Sequence, residues 1–170
     1  MWQAFLRDLR QPEYIHVLIN PLPVYGLAIA VVGLIVALFF RSRSAQVTSL
    51  VLVMMTAASA WPVAHYGEEA SDRVLAMADE DGQAWLEAHE DRAERLVYFF
   101  YALALISAAA IFVPKKWPQA ATPLAIITLI MAAMSLGAGG YIAYAGGKIR
   151  HREFRNERPP PKKAESEEHP

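Results

Sequence analysis

The chain has 170 residues, of which 55% are hydrophobic, and its formal net charge is −1 at pH 7. This charge gives no case for a nucleic-acid partner, and the absence of cysteine excludes disulfides, thiolate metal sites and c-type haem attachment within the chain. The apolar residues are concentrated, since no acidic residue lies between Glu13 and Glu68 or between Glu94 and Glu153. Each gap is long enough for two membrane-spanning helices of roughly 20 residues.

Residues 1–20 do not have the pattern of a cleavable signal peptide, because charged residues such as Arg7 and Glu13 interrupt them. We expect them to form a retained interfacial segment. Four continuous apolar runs follow, and this pattern predicts helices, because helices satisfy their backbone hydrogen bonds in lipid. The predicted spans are residues 21–40, 47–65, 96–113 and 122–145.

Prolines and glycines predict where these helices start, loosen and end. Pro21 and Pro23 suit the start of the first span, and Pro62 should loosen the last turn of the second span. Residues 67–95 connect spans two and three, and their apolar patches predict two loop helices with a break at Gly82. The second loop helix should continue into span three.

These elements predict an all-α fold, an integral membrane four-helix bundle with an extramembrane helical hairpin between spans two and three. The membrane domain covers residues 21–154, and residues 155–170 should be a disordered tail because they are rich in proline and charge. The short links within each hairpin make its spans antiparallel neighbours. No internal repeat is convincing in the sequence, although two hairpins would permit a pseudo-symmetric pair.

An even number of crossings places both chain ends and residues 67–95 on one membrane face. The short loops of the opposite face carry Arg41, Arg43, Lys115 and Lys116 without a carboxylate. Counted over short loops, this favours a cytoplasmic position for those loops and a periplasmic position for the first face. A count of all basic residues, with the tail included, favours the reverse orientation.

Histidines flank the four predicted spans at this same face, most of them close to a carboxylate. Imidazole with carboxylate at the rim of a bundle suits a transition metal, two histidines from facing helices suit haem b, and a histidine beside a carboxylate can relay protons. The metal-ligand candidates are His16, Glu68, His89, His151 and Glu153. The cofactor-binding candidates are His65, Asn20 and Arg150.

The alternative is a purely structural face, in which these side chains form a hydrogen-bond network that clamps the loop helices onto the bundle. Arg150 is then expected to pair with a carboxylate. The local spacings are not diagnostic, because Ala93 stands where a zinc-protease helix would carry a second histidine after His89. No nucleophile–base pair or phosphate loop indicates an enzyme.

Span four carries small residues at four-residue intervals, a pattern that allows close approach of another helix. The stripe consists of Ser135, Gly139, Ala143 and Gly147. Packing within the bundle is one interpretation. Docking to other membrane subunits, as in a respiratory or photosynthetic complex, is the other.

Residues 14–153 resemble the DUF2231-type bacterial four-helix membrane proteins, sometimes described as cytochrome b561-like. The resemblance depends on four segments, residues 16–23 (HVLINPLP), 67–70 (GEEA), 89–90 (HE) and 146–153 (GGKIRHRE). It differs at Pro21, where members often carry a second histidine. The resemblance implies a four-helix fold in the bacterial inner membrane and a shared polar face, and it supplies no established reaction.

The first functional expectation is a redox-accessory protein that binds a transition metal or haem b, with His16, His89 and His151 as ligands and His65 as a substitute. The alternative is a structural subunit of a larger membrane complex without a cofactor of its own.

Overall fold

The computed structural model describes residues 2–161, which form helices and turns without any strand. The helices are α1 (Trp2–Asp8), α2 (Pro12–Ile19), α3 (Leu27–Phe39), α4 (Arg43–Ala58), α5 (Ala60–Met77), α6 (Glu80–Phe112) and α7 (Ala121–Arg150). A π-helical turn (Leu22–Gly26) joins α2 to α3, and short 3₁₀ turns cover Val113–Lys115, Pro118–Ala120 and Arg152–Phe154.

Four helical segments are long and apolar enough to cross a membrane. They cover Pro12–Phe39, Arg43–Met77, Glu80–Lys115 and Pro118–Arg150. The predicted all-α, multi-pass fold is therefore confirmed, with helices that extend beyond the predicted spans. That the ends of α5 and α6 lie outside the membrane stays a prediction.

The prolines of span one lie inside a helical run instead of at its start. Pro21 and Pro23 have no N–H to donate to the carbonyls four residues earlier. The backbone widens locally, so that the N–H of Gly26 donates to the carbonyl of Pro21 at 3.3 Å, a π-helical bond. The continuous helical path therefore begins at Pro12.

The predicted effect of Pro62 is confirmed. Pro62 has no N–H to donate to the carbonyl of Ala58, four residues earlier, and α4 ends at Ala58. The break predicted at Gly82 is wrong in position. The turn between α5 and α6 is formed by Ala78 and Asp79, and an Asp79 carboxylate oxygen accepts from the N–H of Gly82 at 3.0 Å as an N-cap. As predicted, α6 continues into span three without interruption.

The helices pack as two hairpins that face each other. The first hairpin pairs α3 with α4, and the second pairs α6 with α7. The hairpins meet where α6 contacts α4 and α3 contacts α7, while α2 packs on α5. Two apolar clusters fill the interior, one around Leu27, Val53 and Phe100 and one around Leu34 and Leu50.

The two hairpins bury equivalent positions, although the sequence itself shows no convincing repeat. The buried residues of α3 are Leu27, Ala30, Leu34 and Ala37. Those of the membrane half of α6 include Phe100, Leu103, Ser107 and Ala110, with the same spacing. This spacing is the one expected of any helix that packs against an interior along one side, and the pseudo-symmetric pair stays a prediction.

Candidate functional site

His16 lies on α2 with its ring against the surface of α5. Its Nδ1 is 2.8 Å from the carbonyl oxygen of Val63. Four residues after Val63, a Cβ atom added to Gly67 would lie only 2.9 Å from Cε1 of the imidazole. The ring therefore occupies space that glycine leaves open.

His89 repeats this arrangement in the second hairpin. It lies on α6, and its Nδ1 is 3.0 Å from the carbonyl oxygen of Ile142 on α7. Four residues after Ile142, a Cβ atom at Gly146 would lie 3.0 Å from Cε1 of the His89 ring. Each hairpin thus holds one imidazole with one carbonyl and one glycine of its second helix, an arrangement that we call a histidine seat.

The two seats also fix which ring nitrogen is available. A carbonyl oxygen only accepts hydrogen bonds, so Nδ1 of each ring carries the proton. In the neutral imidazole the lone pair is then on Nε2, the form in which histidine binds a metal. The structure therefore gives His16 and His89 the same arrangement, one in each hairpin.

Polar contacts beside the seats tie three helices to one another. Ser71 on α5 donates to the carboxylate of Glu90 on α6. Arg73 on α5 forms an ion pair with Glu13 on α2. These contacts support the expected hydrogen-bond network that clamps the ends of the helices.

His65 does not join the pair. It is exposed on α5, stacks on Trp61 with ring centres 5.7 Å apart, and lies 3.4 Å from Glu69 on the same helix. Glu68 and Asn20 are exposed as well.

The candidates after α7 are also placed away from the seats. His151 is exposed, lies 2.9 Å from the carboxylate of Glu153 and stacks on Phe154. Arg150 donates to the carbonyl of Met77 at 3.1 Å, and its predicted carboxylate partner stays a prediction. That carbonyl lies at the C-terminal end of α5, where a helix leaves acceptors unused.

The five metal-ligand candidates are therefore not assembled into one centre. Within residues 2–161, no group of three or more His, Asp or Glu side chains could hold a metal ion. What remains of the predicted constellation is one imidazole from each hairpin.

A cluster around Lys148 was not predicted from the sequence. Its side chain is 4% exposed, with Nζ 4.2 Å from the ring centre of Trp85 and 3.9 Å from that of Tyr144. Its ion-pair partner is Glu157, from the predicted tail. The Lys148 ammonium and the Tyr144 hydroxyl hold the pKa of Glu157 below its usual range.

The first residues of the predicted tail contact the helices, and the disorder predicted for residues 155–170 stays a prediction. Arg155 donates to the carbonyls of Lys148 and Ile149 and to the carboxylate of Asp79 at 2.7–2.9 Å. The hydrogen bond from Arg155 is the main cause that lowers the pKa of Asp79 to about 2. Residues 162–170 of the predicted tail lie outside the described part of the chain.

The small-residue stripe of α7 faces the bundle interior over its first half. Ser135 is fully buried, donates to the carbonyl of Met131 and lies 3.2 Å from that of Phe99 on α6. A Cβ atom at Gly139 would lie 2.9 Å from Val24. Ala143 is exposed, so the stripe does not form one continuous outer face.

The fold defines a multi-pass α-helical membrane protein, and each of its two hairpins holds one imidazole against its second helix. The chain matches no family model, and neither a curated protein nor a solved structure matches it.

Proposed function

We propose that this protein binds haem b between its two hairpins, with His16 and His89 as axial ligands, and serves as a redox-accessory component of a membrane. The supporting observation is the repetition of the histidine seat. Two helices from different hairpins each present an imidazole whose Nδ1 is held by a carbonyl. A hydrogen bond from Nδ1 to a carbonyl fixes the orientation of the ring and raises the basicity of Nε2, the nitrogen that would bind a metal.

The number of donors distinguishes haem from a bare metal ion. Two imidazoles would be enough to hold a haem, because the macrocycle supplies the other ligands of the iron. A first-row metal ion without a macrocycle needs more protein ligands, and no third carboxylate or imidazole joins the pair among the described residues. A transition-metal ion without a macrocycle is therefore less well supported than haem as the bound group.

The protein's own residues hold and orient the ligands. Gly67 and Gly146 let the Cε1–Nδ1 edges of the rings approach α5 and α7 closely, and the carbonyls of Val63 and Ile142 keep the proton on Nδ1. A bound haem would supply one-electron transfer, the chemistry that this protein needs as a redox-accessory component.

The test is an optical titration of the purified full-length protein with haem. We expect a shifted Soret band at one haem per chain, and loss of that band in His16→Ala and in His89→Ala. The matched controls are His65→Ala and His151→Ala, which remove exposed histidines and should bind as the wild type does. A protein that binds neither haem nor metal ions on titration would end the proposal.

The membrane and orientation belong to the same proposal. The resemblance to the DUF2231-type proteins supports a place in the bacterial inner membrane. The short basic loops around Arg41 and Lys115 support a periplasmic position of the histidine-bearing face.

The second candidate, a structural subunit of a larger membrane complex, is supported by a different face of α7. A Cβ atom added at Gly137 or Gly140 would meet nothing within 4 Å, so these glycines leave an open surface for another helix. Co-purification from native membranes in mild detergent tests it. A free, monodisperse chain would count against this candidate and leave the haem proposal unaffected.

A further inference from the structure

Lys148 is a buried cation whose neutralising anion comes from outside the helices. The residue is 3% exposed, and its ammonium group donates to the hydroxyl of Tyr144 at 2.7 Å. A buried ammonium is costly unless an anion pairs with it. Here that anion is the carboxylate of Glu157, which belongs to the segment that follows the last 3₁₀ turn.

Glu157 is held less firmly than the segment that carries it. Its side chain is 53% exposed, whereas that of Arg155 is 9% exposed and binds two carbonyls of α7 as well as Asp79. The carboxylate can therefore leave Lys148 while Arg155 remains in place. An open cleft of about 590 Å³ adjoins Glu157 and is lined by Asp81, Arg155, Asn156, Glu157, Arg158 and Pro159.

The surroundings of Lys148 offer more donors than one carboxylate satisfies. Trp85 is 2% exposed, and its indole N–H finds no hydrogen-bond acceptor within residues 2–161. Arg92 stacks on Tyr141 at 3.8 Å and lies 6.0 Å from the ring centre of Tyr144. An anion with several oxygens could accept from more of these groups than Glu157 does.

We propose that Lys148, Tyr144, Trp85 and Arg92 form a binding site for an oxyanion, and that Glu157 fills it as an internal competitor. The anion is a phosphate, either in the headgroup of an anionic lipid or free in solution. A cluster of basic and aromatic residues at the end of a membrane-spanning helix is the chemistry that recognises anionic headgroups. The site uses neither His16 nor His89, so a negative result for haem binding would not contradict it.

The test compares full-length wild-type and Glu157→Gln protein in phosphatidylcholine bilayer discs, with thermal unfolding as the readout. One arm adds increasing fractions of phosphatidylglycerol, and the other adds inorganic phosphate. Because a tethered competitor acts at an effective concentration in the millimolar range, its removal should lower the half-saturating amount of anion about tenfold. Glu153→Gln, which removes an exposed carboxylate of the same segment, should behave as the wild type.

The double variant Lys148→Met with Glu157→Gln should lose the anion dependence. If it does not fold, Tyr144→Phe with Glu157→Gln removes one hydroxyl and should weaken the response. Stabilisation by phosphatidylglycerol alone identifies a headgroup as the ligand, and stabilisation by inorganic phosphate as well identifies a free anion. Equal responses of wild type and Glu157→Gln, no response in either arm, or a full response without Lys148 would overturn the proposal.

Discussion

Two glycines decide where the imidazoles can lie. Gly67 and Gly146 stand four residues after the carbonyls that accept from His16 and His89. At each glycine an added Cβ atom would approach the ring closer than ordinary van der Waals contact allows. The seats therefore require the absence of a side chain as much as the presence of histidine.

Gly67→Ala and Gly146→Ala should each displace an imidazole and lower haem affinity. We expect each to reduce the free energy of unfolding by about 1–3 kcal/mol, as overpacking does. Calorimetric unfolding and haem titration of the purified variants measure both effects.

Gly137→Ala and Gly140→Ala are the matched controls on α7, because their added methyl groups meet open space. They should keep haem affinity and gain stability, since alanine favours helix over glycine. If all four variants lost haem affinity equally, the seats would have no special role.

At the residue scale the sequence indicates the ligand types but not their pairing. Imidazoles at the ends of spans were predictable, because polar residues have few other places in an apolar chain. That His89 would join His16, while His65 faces outward, depends on the rotation of each helix about its axis. A mismatch of one residue in that rotation moves a side chain by about 100°.

The carboxylate of Asp79 caps α6 at the turn between α5 and α6. Asp79 caps α6 through the N–H of Gly82 and forms ion pairs with Arg152 and Arg155. It thereby connects the start of α6 to the segment that follows α7.

Asp79 should make the folded protein sensitive to acid. Its pKa is lowered from 3.8 to about 2, so its contribution to stability is present above pH 3.8 and is lost as pH falls toward 2. Asp79→Asn keeps a capping side chain but loses the charge. We therefore expect a smaller decrease in the unfolding temperature between pH 4 and pH 2 for Asp79→Asn than for the wild type.

Glu80→Gln is the control for this pH series, because it removes a neighbouring exposed carboxylate. It should follow the wild type. An Asp79→Asn variant with unchanged acid sensitivity would contradict the assigned role of the turn.

At the element scale, hydropathy predicted the existence of every span, but the boundaries depended on contacts. Gly82 was predicted as a break, yet it lies in the first turn of α6, where a Cβ atom would lie 2.6 Å from the carbonyl of Ile149. Because Gly82 has no side chain, α7 can approach α6 closely at this position. This is a tertiary contact, which local sequence patterns do not reveal. Pro62 was predictable because its effect is local.

The molecule consists of two helical hairpins, and four crossings would place residues 2–20 and residues 151–161 on the same side of a membrane. The absence of cysteine makes this topology directly measurable. In single-cysteine variants, a membrane-impermeant maleimide should label Gln3→Cys and Asn156→Cys from the same side. It should label Lys116→Cys, in the turn between α6 and α7, only from the other side.

Intact cells and permeabilised cells provide the two conditions for this labelling. Labelling of the chain ends in intact cells would support the proposed periplasmic position of the histidine-bearing face. Labelling of Gln3→Cys and Lys116→Cys from one side would contradict the four-span topology itself.

At this largest scale the four-span fold was predictable, because a scarcity of charge over roughly 20 residues is a strong signal. The clamp by Arg155 and Glu157 was not, because a segment rich in proline and charge has the composition of a disordered tail. The contacts of this segment are with the half-buried Asp79, which is far away in sequence, and with the buried Lys148, which the fold places beside it.

The shared role of the two imidazoles is tested most directly by low-temperature electron paramagnetic resonance of the oxidised, haem-loaded protein. Two axial imidazoles should give a low-spin ferric signal in the wild type and in His65→Ala, and a high-spin signal in His16→Ala and in His89→Ala. A low-spin signal that persists when His16 and His89 are both replaced would show that the ligands lie elsewhere.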